Sequence, residues 1–357
     1  MMRKRIDKQH QFISCFDEKN GTYIRSGILL EGKDAGKDPF MASFPELLDI
    51  GIMGHCQHGL SGRCLQSGVR CYQSGGVYTQ PNMALADFME ILRQCHKDTY
   101  QIALGGRGDP DMHEHFEEIL AACRAHRVVP NFTTSGFGFT PRKTALCKKY
   151  CGAVAISWYR SDYTLRAVEM LLKEGVKTNI HYVLGKNSIE EAVRRLREKD
   201  FPSGINAVIF LLHKPVGLGS TKNVLTPADT EELFALVDQG DFPFRVGFDS
   251  CSVPGLIRCC PNIAPESLDT CEGGRWSAYI SPDMNMMQCS FDNQGNRWAV
   301  SLRTSTIREV WESEVFEDFR SRMRTSCPQC NMRELCMGGC PIVPEIVLCG
   351  KKEGIRK

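Results

Sequence analysis

The sequence predicts an α/β fold with a small cysteine-rich segment appended to it. Three observations carry this reading. Between residues 44 and 250, short apolar runs alternate six or seven times with stretches of helical periodicity. Glycine-rich or polar segments follow most of those runs. Four cysteines then fall within fourteen residues, Cys327, Cys330, Cys336 and Cys340, spaced C-x2-C-x5-C-x3-C. Repeated strand–helix units build a parallel sheet with helices outside it. Six units are too few to close an eight-stranded barrel, so either a doubly wound sheet or a partial barrel fits.

Taken in order, residues 1–44 read as a lead-in, with two small strands at 23–25 and 28–30 around Ser26 and Gly27. The first strand of the repeating part is expected at 47–53 and its helix at 84–97. A short apolar run at 102–104 ends in Gly105-Gly106 and is followed by helical periodicity over 112–126. Strand 128–133 leads to helix 140–150, which has Pro141 in its first turn. Strand 154–158 leads to helix 162–174, stopped by Gly175. Strand 178–184 leads to a helix over 188–199 with Ser188 as its cap. Strand 205–212 precedes a helix that runs from Thr226 to 238 with Pro227 at its first position, and 244–248 is a last strand. Beyond it, 276–280 and 286–288 read as a hairpin around residues 281–285, and 307–323 as an amphipathic helix leading into the cysteines.

A chain of 357 residues is long enough for one large domain and a small one, divided here as 1–44, 45–250 and 251–357. Hydrophobic residues make up 42% and charged residues 24%, as in an ordinary globular protein. A net charge of +2 gives no electrostatic case for nucleic acid or a membrane surface. The basic N-terminus is followed by no apolar run, and no stretch is long enough to span a bilayer, so the expected location is cytoplasmic. In a reducing compartment, eighteen cysteines favour metal ligation over disulfides.

In open and barrel-type parallel sheets, the chemistry sits at the C-terminal ends of the strands. The residues expected there are Cys56, Cys64 and Cys71 with His55 and His58, then Gly105 to Pro110, then Thr134 and Ser135, then Ser157 and Trp158. Thiolates are soft ligands, so iron–sulfur clusters and zinc both suit the C-terminal cysteines, with a disulfide knot as the plainer reading. Cys95, Cys123 and Cys147 lie on expected helices and read as small buried hydrophobes.

These residues resemble the radical S-adenosylmethionine (radical SAM) enzymes that carry a C-terminal SPASM domain, ribosomal-peptide maturases among them. The resemblance implies a partial (β/α)6 TIM-type barrel followed by a small cysteine-rich SPASM domain. It implies a SAM-binding [4Fe-4S] cluster on Cys56, Cys64 and Cys71, although C-x7-C-x6-C departs from the family's C-x3-C-x2-C. Gly105, Gly106 and Asp109 stand where the family's Gly-Gly-Glu-Pro motif holds the amino group of SAM, with Asp109 in place of the glutamate. Thr134, Ser135 and Ser157 occupy places that resemble its ribose and carboxylate contacts. The SPASM pattern is matched by Cys271, Cys289, Cys327, Cys330, Cys336, Cys340 and Cys349, with Met284 where the hairpin glycine is usual and Asn285 beside it to support the turn. The family's wiring implies an outer auxiliary cluster on Cys327, Cys330, Cys336 and Cys349. It implies an inner one on Cys271, Cys289 and Cys340, whose last iron is open unless Cys251, Cys259 or Cys260 closes it; closure is expected, because those three thiols lie within loop reach of Cys271. The implied reaction is reductive cleavage of SAM and hydrogen abstraction from a peptide or small protein, with a flavodoxin or ferredoxin as electron donor. No catalytic residue is singled out. A SPASM enzyme acting on a small molecule and a non-enzymatic metal-binding scaffold or electron carrier are the alternatives.

Overall fold

The structure is a computed structural model that describes residues 1–292 and 297–350 of the chain. Residues 2–34 are more ordered than a lead-in. Strands β1 (Met2–Asp7), β2 (Phe12–Asp17) and β3 (Tyr23–Arg25) form an antiparallel sheet, and β4 (Leu29–Leu30) pairs with β5 (Lys33–Asp34). Alternate residues of β2 are buried. Phe16 stacks on Tyr100 at 5.4 Å, Phe12 meets Trp276 edge-on at 5.3 Å, and the Ser14 hydroxyl donates to Glu46 at 2.7 Å. This small sheet is thereby fastened to the main body.

The main body follows from the strand–helix repeat. Strands β6 (Leu47–Ile50), β7 (Gln101–Leu104), β8 (Val129–Thr134), β9 (Val154–Ser157), β10 (Thr178–Leu184), β11 (Ala207–Leu212) and β12 (Arg245–Phe248) are parallel and lie side by side in chain order. The order never reverses, which sets aside the doubly wound alternative and leaves the partial barrel. The connecting helices are α1 (Gln57–Ser61), α2 (Arg63–Gln66), α3 (Leu85–Cys95), α4 (Phe116–Ala125), α5 (Pro141–Tyr150), α6 (Asp162–Lys173), α7 (Ile189–Glu198) and α8 (Glu231–Gln239). Helices α3 to α8 bury their inner faces against the outward residues of the strands, among them Leu48, Ile50, Phe132, Ile156, Ile180 and Phe210. The intervening strand residues Asp49, Asn131, Thr133, Ser157, Asn179 and His181 are half-buried and line the inner face.

After β12, α9 (Val253–Cys259) leads to β13 (Ser277–Ile280), β14 (Asn285–Met287) and β15 (Val300–Ser301). β13 runs parallel to β6, with Asp49 opposite Tyr279, and β14 and β15 extend the same sheet antiparallel. The chain ends its described part through α10 (Ile307–Trp311), α11 (Glu314–Thr325) and α12 (Arg333–Cys336). Among the described residues, no helix is long and apolar enough to cross a membrane.

Three local expectations are corrected. Ser188 does not cap α7 with its side chain; its hydroxyl donates to Val183 O (2.8 Å) and accepts from Gly185 N (3.0 Å), closing the turn after β10. Residues Pro110–Met112 form a separate 3-10 turn, and the helix proper begins at Phe116. The tight turn of the β13–β14 hairpin is made by Met284 itself, at φ 67°, rather than by Asn285. That left-handed backbone explains why glycine suits the position.

Candidate active site and cysteine groups

The loop after β6 carries the first three cysteines. Cys56 caps α1, its sulfur accepting from Gly59 N at 3.4 Å. Cys64 sits in α2 with its sulfur 3.6 Å from the Tyr159 hydroxyl. A Cβ placed on Gly75 would lie 3.5 Å from both the Cys56 and the Cys71 sulfur, so glycine keeps the space between the two thiols open. Arg107 holds the loop in place, donating to Gln73 O and to Gly54 O at 3.2 Å each. Burial raises the pKa of the Cys56 thiol and pushes that of Cys64 up to about 11, and neighbouring thiols and Asp109 add to both. Three mutually repelling thiols in a buried site ionise when a cationic centre joins them. This donor set fits an iron–sulfur cluster at the strand ends.

The glycine-rich loop after β7 lies directly against it. Gly108, at φ 69°, would bring a Cβ within 2.5 Å of His55 O, so no larger residue is accommodated. Asp109 precedes the 3-10 turn but makes no cap with its side chain. Its carboxylate instead accepts from Ser135 N (2.9 Å) and from the Ser135 hydroxyl (2.5 Å), and lies 3.0 Å from His58 Nε2. The Ser135 oxygen is 2.6 Å from the same His58 nitrogen. His58 is buried between Phe137, Tyr159 and Tyr163, and its Nδ1 has no partner among the described residues. His58 is therefore engaged with Asp109 and Ser135, and not with the three thiols through that nitrogen. Thr134 Oγ1 accepts from Gly136 N at 3.1 Å, which makes it part of the turn. Ser157 ends β9 on the inner face, opposite His181. Gly105 is open, with nothing within 4 Å of a built Cβ. Trp158 packs on Phe201 at 5.7 Å, a core role.

The C-terminal cysteines separate into two groups. The thiols of Cys251 and Cys340 are hydrogen-bonded, and Cys271 and Cys289 feel the charges of each other or of Cys251. The Cys340 bond, followed by burial, raises the pKa of Cys251; burial first raises those of Cys271, to about 11, and Cys289. Lys214 stands beside this group, ion-paired with Asp249. Burial opposes its charge, yet Asp249 and Cys251 outweigh that and raise its pKa. Cys260 turns away, donating to Phe234 O at 3.4 Å, and Cys259 packs against the main core. In the second group, burial raises the pKa of Cys327 and of Cys336, with Cys349 adding to both and Cys330 to the first. All eighteen cysteines are free thiols. Among the described residues, no three His, Cys, Asp or Glu side chains are set to hold a single metal ion. Cys95, Cys123 and Cys147 are fully buried in the core.

The inner face holds polar groups that motif reading missed. Asp49 has its pKa pushed up to about 7 by burial and by Glu272, and His181 is pushed down to about 4 by burial. The signal was present: an aspartate in the short apolar strand β6, and a histidine two residues after Asn179 on the inward face of β10.

The SPASM family, described as an iron-sulfur cluster-binding domain, matches residues 271–332. A comparison of the sequence with curated proteins finds no match. Among solved structures, Streptococcus suis SuiB bound to its precursor peptide SuiA is similar at 18% identity and TM-score 0.66, over 85% of this chain and 73% of that one. SuiB bound to S-adenosylmethionine matches at 17% identity and TM-score 0.65, over 85% and 74%. Native anSMEcpe with bound AdoMet and a Cp18Cys peptide matches at 16% identity and TM-score 0.58, over 85% and 92%. The chain shares the fold of these proteins, and residues 271–332 are similar to an iron–sulfur cluster-binding domain family.

Proposed function

We propose that this chain is a radical SAM enzyme that acts on a peptide or small protein. The observation that carries the reading is the convergence of Cys56, Cys64 and Cys71 at the C-terminal end of β6, beside a glycine-rich loop, in a chain with a SPASM domain. Solved proteins of the same fold hold SAM and peptides, which supports the substrate class. When bound, the cluster supplies the electron that cleaves SAM to a 5′-deoxyadenosyl radical.

The chain's own residues then have definable tasks. Cys56, Cys64 and Cys71 hold the SAM-binding cluster, with Gly75 leaving room for it. Asp109 has one oxygen bonded only to Ser135 N, which leaves a lone pair for the amino group of SAM. Gly105 leaves its backbone open to the ligand, Gly106 lets the same loop pack closely on Tyr279, and Thr134, Ser135 and Ser157 stand at the neighbouring strand ends. Cys251 joins Cys271, Cys289 and Cys340 as the fourth inner ligand, and Cys327, Cys330, Cys336 and Cys349 hold the outer cluster. A fully ligated inner cluster passes electrons and leaves no iron for a substrate thiolate, so oxidation or carbon–carbon bond formation is favoured over thioether formation. An electron donor of the flavodoxin or ferredoxin type completes the scheme.

The test is the triple replacement of Cys56, Cys64 and Cys71 by alanine, followed by anaerobic reconstitution. About four irons per chain should be lost, on [4Fe-4S] stoichiometry, and 5′-deoxyadenosine should no longer form with dithionite. SAM cleavage that persists in that variant would sink the assignment.

A further inference from the structure

The long sheet ends at β12 on its barrel side. β6 is continued by β13, whereas among the described residues β12 pairs only with β11. Arg245 N donates to Asn206 O at 3.2 Å and Asp249 N to Phe210 O at 2.9 Å. In a parallel ladder the bonding direction alternates along the strand. The amides and carbonyls of Val246 and Phe248 therefore point away from β11, and among the described residues neither amide donates to a backbone carbonyl.

What the edge faces is a cavity of about 710 Å³, bounded by β12, α9 and residues 263–272. Its size falls within the about 300–1,000 Å³ usual for binding pockets. Phe242, Phe244 and Leu268 make one part of the wall apolar. Asp249, Asp269 and Glu272 make the other part acidic. Asp249 is answered by Lys214, and Asp269 by Arg25 at 3.3 Å. Glu272 makes no direct ion pair or side-chain hydrogen bond among the described residues, the charges of Arg25 and Arg275 reaching it only at longer range, and it directly follows Cys271 of the inner group.

We propose that the β12 edge takes an extended peptide segment as an added strand, with a lysine or arginine of that segment meeting Glu272. Backbone pairing on a free edge gives affinity without sequence demands, and one unanswered carboxylate gives selectivity for a cation. The apolar wall receives alternate side chains of the same segment. A small molecule could fill the volume, but it would leave the strand edge unused. The inference rests on the peptide-substrate reading and specifies where that peptide lies.

The experiment is residue-resolved hydrogen–deuterium exchange on the reconstituted holoenzyme. The probes are capped heptapeptides of alternating valine and threonine bearing one lysine, one glutamate or one norleucine. The lysine probe should slow exchange at the Val246 and Phe248 amides and bind at least about tenfold more tightly than the glutamate probe. Glu272→Gln should make the lysine and norleucine probes equivalent. Val246→Pro removes an outward donor without breaking the ladder to β11; it should abolish protection while circular dichroism and peptide-free SAM cleavage stay unchanged. Failure of every probe to protect β12, with SAM cleavage intact, overturns the strand-addition inference alone. Loss of both cluster iron and SAM cleavage in the wild type would instead overturn the enzymatic reading.

Discussion

Replacing Asp109 by asparagine isolates one charge at the centre of the candidate SAM site. The carboxylate accepts two hydrogen bonds from Ser135 and lies within reach of His58, so the side chain is held before any ligand arrives. Asparagine keeps the shape, and its oxygen can still accept from Ser135 N. What it loses is the negative charge that a SAM ammonium would meet. A hydrogen bond to a charged group contributes about 1.5–3 kcal/mol, and each 1.4 kcal/mol is tenfold. SAM should therefore bind roughly ten- to a hundredfold more weakly to Asp109→Asn. Anaerobic calorimetry on protein with matched iron content measures this. A SAM analogue lacking the amino group is the control, because wild type and variant should bind it equally. Unchanged SAM affinity would reduce Asp109 to a brace for Ser135 and His58. An equal loss for both ligands would point to a disturbed loop rather than a lost contact.

Cys251→Ala should leave the inner group with three thiolates, so a three-iron electron paramagnetic resonance signal should appear on oxidation; Cys259→Ala and Cys260→Ala should not show it, and identical spectra from all three would refute the grouping. Asp49 has a folded-state pKa near 7 against an ordinary 3.8, so the folded form holds a proton that the unfolded form has released, and stability falls as pH rises through that window. Asp49→Asn should thus be more stable than wild type at pH 8, by up to about 4 kcal/mol, with the gain vanishing below pH about 4; denaturant titrations at the two pH values decide it. Met284→Gly relieves a left-handed backbone worth about 1–2 kcal/mol, but it removes a side chain that is only 3% exposed. Deleting a buried methionine side chain costs about 2–5 kcal/mol, so urea melts should show net destabilisation, and a stabilised variant would refute that balance.

Much of the fold was legible because the strand–helix units are local. Thr140 is followed by Pro141, and the Thr140 hydroxyl does cap α5 by accepting from Lys143 N at 3.3 Å. The N-terminal sheet escaped because its pattern was hidden. Phe12, Ser14 and Phe16 alternate as a half-buried strand should, but the middle position is polar and finds its partners in Glu46 and Tyr100, residues distant in sequence. The cysteines could be grouped into expected sets from spacing and family likeness. Which upstream thiol lies beside Cys340 was not legible, because Cys251 and the Cys259–Cys260 pair stand at opposite ends of α9, and only the packing of that helix decides which end faces Cys340. His58 shows the same limit. Two residues from Cys56 in the sequence, it stands among the expected strand-end residues, yet its ring is turned toward Asp109 and Ser135 by contacts with residues from three other parts of the chain.

The pairing of β13 with β6 has a consequence for how the chain comes to be folded. Residues 47–50 find their neighbour on one side early, in β7, but on the other side only at residues 277–280. During synthesis the first barrel strand therefore waits, one edge bare, until more than two hundred further residues have left the ribosome. A bare parallel edge is a template for pairing with other chains, and closing so long a loop is slow. Chains truncated before residue 277 should therefore collect in aggregates, and full-length protein should be most vulnerable in the interval before its cysteine-rich end arrives. The segment that resembles a SPASM domain thus also serves as the last-made cover for the first-made strand.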